Sequence, residues 1–186
     1  NFAGEPVDKQ PIEIQWDPIQ AEKEGYEHFM LKEIHEQPKA LKDTLYPRLE
    51  KKGTLFNLEG ITISPEEVKK LEKIVIVGCG TAYHAGLVGK YVIEKLLRIP
   101  VEVDIASEFR YRNPILKEND LVIAISQSGE TADTLAALNE AKSRGLRVLA
   151  ITNVVGSSIS RYADDLFYTW AGPEIAVAST KAYLTQ

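Results

Sequence analysis

The sequence predicts an α/β protein: an open, doubly wound, five-stranded parallel sheet with helices on both faces, preceded by a helical linker segment. Three observations lead to that fold class. From residue 64 onward, short apolar β-branched runs alternate with helical patterns, which implies parallel strands joined by right-handed crossovers. The 186 residues, 44% hydrophobic and 26% charged, give room for one ordinary domain plus an attached segment. The stretch LVIAISQSGETADT, residues 121–134, runs from a buried strand through a polar loop into a helix. Sheets of this class bind ligands outside the carboxyl ends of their strands.

The elements follow in chain order. Residues 1–25 alternate charge with Pro6, Pro11 and Pro18 and read as an extended interdomain linker. Ile12, Ile14 and Trp16 are its candidates for packing on a surface. Residues 26–65 read as a helical segment. Tyr26, Phe29, Met30 and Ile34 fall at helical spacings within a helix over 26–37. Pro38 breaks that helix and suits the first position of a second, with Leu41, Leu45 and Leu49 on one face. Pro47 interrupts or kinks the second helix, and Gly53 ends it. The apolar stripe on this pair needs a partner, either the following domain or another subunit.

Residues 66–186 form the α/β domain. Ser64 caps a short helix from Pro65, and Glu67 completes a capping box. Strands are expected at 73–77, 101–105, 120–125, 147–152 and 165–169. Helices are expected over 83–97, after Ser107 as a cap, from the polar loop to about Arg144, after Ser157 and Ser158, and from Thr180.

Composition excludes several function classes. A net charge of -5 gives no broad attraction for nucleic acid or an anionic membrane, so a bound phosphate needs a local site. Cys79 is the sole cysteine, so no internal disulfide forms, which fits a reducing cytoplasm. No apolar run approaches the roughly 20 residues that span a bilayer. NFAGEPVDKQ lacks the regions of a signal peptide. His28, His35 and His84 show no metal-ligand spacing, and no metal or other cofactor is expected. The chain starts at Asn1 and stops in TKAYLTQ soon after a helix begins, so a fragment of a longer protein is expected.

The first strand leads into GCGTAY. The third glycine of a dinucleotide fingerprint would fall at Tyr83, and no P-loop sequence occurs. This turn is either purely structural or a wall for a small anion, with Thr81 offering its hydroxyl. The stronger signal is SQSGET. Ser126, Ser128 and Thr131 supply hydroxyls, Gln127 an amide, and Gly129 lets the backbone turn toward a ligand. The N–H groups of 129–131 are expected to be free at the helix start. A phosphate monoester there gains about 0.3–1 kcal/mol from the helix dipole alone. The plainer alternative makes Ser128 an N-cap and Thr131 a third-position residue. Glu130 is expected to point outward. In AGPEIAVASTKAY, Ser179 and Thr180 are either helix caps or ligand contacts, and Glu174 and Lys181 are the titratable groups nearby.

SQSGET after a buried strand, CGT after the first strand, ASEFRYR and AVASTKA together resemble the sugar isomerase (SIS) family. More narrowly, they resemble the isomerase part of the glutamine:fructose-6-phosphate aminotransferases, or glucosamine-6-phosphate synthases. FMLKEIHEQP resembles the segment between the glutaminase domain and the first SIS domain of those enzymes. The resemblance implies an SIS-type, flavodoxin-like sheet, a cytoplasmic homodimer, and fructose 6-phosphate or glucosamine 6-phosphate as ligand. By position, Ser126, Gln127, Ser128 and Thr131 would hold the phosphate with Thr81 nearby, while Val177 and Ser179 line the sugar chain. Ala82 stands where the family often has serine, so it offers only its backbone.

The full enzyme so implied converts fructose 6-phosphate and glutamine to glucosamine 6-phosphate and glutamate. Its catalytic groups lie in a glutaminase domain, a second SIS domain and a tail missing from this sequence. The residues at hand are therefore expected to bind sugar phosphate weakly and not to complete the reaction. The alternatives are a sugar-phosphate-sensing module and a stand-alone phosphosugar isomerase. The first would need an upstream basic helix-turn-helix, which residues 1–60 lack; the second would need its own acid/base residue near SQSGET.

Overall fold

A computed structural model describes residues 6, 18–49 and 58–186. The readings of Ile12, Ile14, Trp16 and Gly53 lie outside the described residues. Strands β1 (Lys73–Gly78), β2 (Val101–Ile105), β3 (Asp120–Ser126), β4 (Arg147–Thr152) and β5 (Asp165–Tyr168) form one five-stranded sheet. The strand order is β2-β1-β3-β4-β5 and every pairing is parallel, the predicted doubly wound class.

Period-two alternation divides the core between the two faces of the sheet. Val75, Val77, Val122, Ala124, Val148 and Ala150 belong to one buried cluster. Ile74, Ile76, Leu121, Ile123 and Ile125 belong to the other. The first face is covered by α5 (Ala106–Tyr111), α6 (Ala132–Ser143) and α7 (Ser158–Tyr162), through Phe109, Leu138 and Ile159. The second is covered by α4 (Thr81–Leu97), through Ala82 and Ile93. Gly86 lets α4 sit close, because a Cβ there would stand 2.9 Å from Ile76 Cγ2. Each fully buried Val, Leu or Ile contributes about 1.5–3 kcal/mol, so these two layers dominate stability.

The two amino-terminal helices form where the sequence placed them, with shorter bounds and a different buried face. The first, α1, is Phe29–His35 and the second, α2, is Gln37–Leu45, followed by a 3-10 turn at Tyr46–Arg48. Pro38 sits in the first turn of α2, and Pro47 falls in the turn that replaces its continuation. The expected apolar stripe is only partly covered: Tyr26, Phe29, Met30 and Leu41 are half-buried. Leu31, Ile34, Leu45 and Leu49 are exposed, whereas Lys32, Glu33, Ala40 and Thr44 are buried. The reason is tertiary: small side chains pack Ala40 against Ala171 and Ala182, and the buried charges find partners far along the chain.

Short helix α3 (Pro65–Val68) has the predicted capping box, with Glu67 N–H donating to Ser64 Oγ and Ser64 N–H to Glu67 Oε2. It is shorter than expected because Leu71 turns in to pack on the sheet. Ser107 is not a cap; α5 starts directly from β2 with Ile105 at its N-cap and no side-chain capping bond. The last helix is α8 (Lys181–Thr185).

Candidate functional site

The chain leaves β1 toward β2 on one side and β3 toward β4 on the other, so the loops after β1 and β3 diverge. A cleft of about 390 Å³ opens at that switch point. Thr81 and Ala82 line it from the start of α4. Ser126, Gln127, Ser128 and Thr131 line it from the β3–α6 loop, and Val177 and Ser179 from the loop before α8. The structure thus brings these eight candidates to one place, while Thr180 and Lys181, also named from the sequence, do not line the cleft. Cys79, Gly80, Glu174, Ala176, Ala178 and Gln186 also line it, and sequence reasoning did not select them as contacts.

The β3–α6 loop is braced by its own hydroxyls. Ser126 is buried; its Oγ accepts from Gly129 N–H at 3.0 Å and lies 3.2 Å from Thr131 Oγ1. Ser128 Oγ accepts from Glu130 N–H at 3.2 Å. Two of the N–H groups expected to be free are therefore used inside the loop. Thr131 is the N-cap of α6, not a third-position residue, and makes no side-chain capping bond. The donors left for an anion are the N–H groups of the first turn of α6, which have no partner within the helix. Gly129 (φ +65°) also serves differently from the expectation: a Cβ there would stand 2.2 Å from Ser157 Oγ, so its open side faces α7 and not a ligand.

Glu130 points away from the cleft, as the sequence suggested. Its carboxylate accepts from Ser158 N–H at 2.6 Å, at the start of α7. That backbone bond, helped by the Ser158 side chain and the charge of Arg161, holds its carboxyl below the ordinary range.

The third wall is organised by carboxylates. Glu174 Oε1 accepts from Thr180 and Ala182 N–H at 2.9 and 3.2 Å, so Glu174 caps α8. Ser179 Oγ donates to Glu174 Oε2 at 2.8 Å and accepts from Tyr183 N–H at 3.1 Å. Lys181 is buried and bonded to Glu36 at 2.6 Å, so it ties α8 to the amino-terminal helices. Val177 is fully exposed at the rim. Glu174 is the only charged residue lining the cleft among the described residues, and its oxygens are occupied. No group of three or more His, Cys, Asp or Glu among the described residues is placed to hold a metal ion.

A cleft lined by hydroxyls and helix starts at the carboxyl ends of parallel strands is the ligand-binding position of a doubly wound α/β domain, and comparison with known proteins gives its family. The SIS domain profile matches residues 67–186, and the chain belongs to that family. It is 67% identical over 183 residues to the glutamine–fructose-6-phosphate aminotransferase (isomerizing) of Clostridium acetobutylicum, covering 98% of this chain and 30% of that protein. It is 64% identical over 184 residues to the same-named protein of Symbiobacterium thermophilum, covering 99% and 30%. The chain thus spans about 30% of the length of these curated relatives. Among solved structures, the C-terminal domain of glucosamine-fructose-6-phosphate aminotransferase from Francisella tularensis matches with a TM-score of 0.81 at 45% identity, covering 88% of this chain and 46% of that one. Glucosamine-6-phosphate deaminase of Thermotoga maritima matches with a TM-score of 0.66 at 26% identity, covering 84% and 44%.

Proposed function

We propose that this chain is the sugar-phosphate-binding unit of the isomerase half of a glutamine:fructose-6-phosphate aminotransferase. It takes fructose 6-phosphate and glucosamine 6-phosphate through the phosphate. The observation that carries this reading is the hydroxyl- and donor-rich cleft, with no Lys or Arg among its described lining residues, at the β1/β3 switch point. The names of the relatives support the substrate class. The phosphate sits at the start of α6, where the helix dipole and N–H groups favour an anion. Ser126, Ser128 and Thr131 add hydroxyl bonds, with the Gln127 amide and Thr81 on the flanks. Val177 and Ser179 face the sugar carbons, and Ala82 contributes only its backbone.

The whole enzyme transfers glutamine nitrogen to fructose 6-phosphate, and its bond-making groups lie outside these residues. Residues 1–25 act as the interdomain linker, 26–65 as a helical segment and 66–186 as the SIS domain. The enzyme is a cytoplasmic homodimer; exposed Leu31, Ile34, Leu45 and Leu49 supply apolar surface for the pairing. Sedimentation of the chain as a monomer at all concentrations would remove that role from the stripe.

Calorimetric titration tests the site. Fructose 6-phosphate binds the wild-type chain, and Ser126→Ala and Thr131→Ala each weaken binding about tenfold. Unchanged affinity in both variants removes the loop from the site. The 186-residue chain supplied with fructose 6-phosphate and ammonia makes no glucosamine 6-phosphate. Product formation would overturn that part of the proposal.

A further inference from the structure

Helix α1 lies before the region matched by the SIS family profile, yet it buries two charged residues, Lys32 and Glu33. A buried carboxylate is costly unless it accepts hydrogen bonds, so its partners show what it is for. Glu33 Oε1 accepts from Ile175 N–H at 2.6 Å and from Ala176 N–H at 3.1 Å. Its Oε2 lies 3.3 Å from the same Ala176 nitrogen. These are the backbone groups of the third cleft wall, and Ala176 itself lines the cleft.

A second contact fixes the far end of that wall. Glu36, at the junction of α1 and α2, bonds Lys181 at the start of α8 at 2.6 Å and lies 3.7 Å from Lys32. Lys181 and Lys32 are both 2% exposed. Ala40 on α2 packs with Ala171 and Ala182, which flank the same wall. The stretch 174–181 is therefore held at its start by Glu33 and at its end by Glu36. Between these two anchors lie Val177 and Ser179.

We propose that Glu33 is a positioning residue for the sugar-phosphate cleft. It orients the backbone at 175–176 so that Ala176, Val177 and Ser179 face the ligand. The inference rests on the reading of the cleft as a sugar-phosphate site, and it makes the amino-terminal helices part of the binding unit. Glu33 touches no ligand. Its effect passes through two N–H groups, of Ile175 and Ala176, whose acceptor among the described residues is the Glu33 carboxylate.

Two readouts on the 186-residue chain test it: amide hydrogen exchange and calorimetric titration with fructose 6-phosphate. In Glu33→Ala, protection at Ile175 and Ala176 is lost while amides of β3 stay protected. Affinity falls about tenfold or more, the scale of a lost charge-assisted bond. Glu33→Gln keeps one acceptor oxygen and similar volume, so it restores part of both. It also carries the test if Glu33→Ala does not fold. Glu67→Gln weakens the α3 cap and the pairing with Arg147 at the opposite end of the sheet. It lowers the melting temperature but leaves affinity unchanged, which separates positioning from general stability. Wild-type affinity in a folded Glu33→Ala or Glu33→Gln, or unchanged protection at 175 and 176, overturns the proposal. If the wild-type chain binds no fructose 6-phosphate, the proposed function fails instead. Exchange at 175 and 176 then decides alone whether Glu33 holds the wall.

Discussion

Gly129 shows how a single position fixes the β3–α6 loop from behind. Its φ is positive, and a Cβ there would come within 2.2 Å of Ser157 Oγ, so no side chain fits. Gly129→Ala should cost about 3 kcal/mol, from strain plus overpacking, read as a fall in the urea midpoint. Asp165 makes a second residue-scale prediction. Burial pushes its carboxyl up, but bonds from Arg147 and Thr62 outweigh burial and hold it below the ordinary range. A carboxyl with a lowered folded-state pKa stabilises the fold above its unfolded value and loses that contribution as pH falls through the folded one. Stability should therefore drop below about pH 5, and Asp165→Asn should flatten that acid limb in urea midpoints measured against pH.

At the scale of elements, the strands were legible because both faces of the sheet are buried, so β1 and β3 read as continuous apolar runs. The α3 cap was legible because Ser64 and Glu67 are local partners. Ser64→Ala should cost about 1 kcal/mol in thermal or urea unfolding. Elements whose partners are remote were placed, but their buried faces were not legible. The buried face of α1 is Lys32 and Glu33, whose stabilising partners include backbone more than a hundred residues away. Hydrophobic spacing at Phe29, Met30 and Ile34 carries no trace of them. Ser107 looked like a cap, but β2 runs straight into α5 and leaves no loop for it to close. The site residues Ser126, Ser128 and Thr131 were legible as a polar loop between strand and helix. Their internal bonding is local to residues 126–131, but the facing of Gly129 depends on Ser157 and Ile159 at the start of α7, which arrive from further along the chain.

At the scale of the whole molecule, the chain is acidic and its cleft has no Lys or Arg among the described residues that line it, its one charged side chain being Glu174, whose oxygens are bonded to the third wall. Recognition through helix starts and hydroxyls should respond weakly to salt. Raising sodium chloride tenfold should change the fructose 6-phosphate dissociation constant less than about threefold, because no long-range ion pair is being screened. Under the proposed function, sheet, cleft and amino-terminal helices act as one binding unit, with α1 and α2 bonded to the back of its third wall. Amide chemical-shift mapping of the chain during titration with fructose 6-phosphate tests that account most directly. It predicts saturable shifts confined to residues 79–82, 126–133 and 175–180, with unphosphorylated fructose producing none. Shifts centred instead on Lys142, Arg147 and Asp164 at the opposite end of the sheet, or equal responses to fructose, would contradict it.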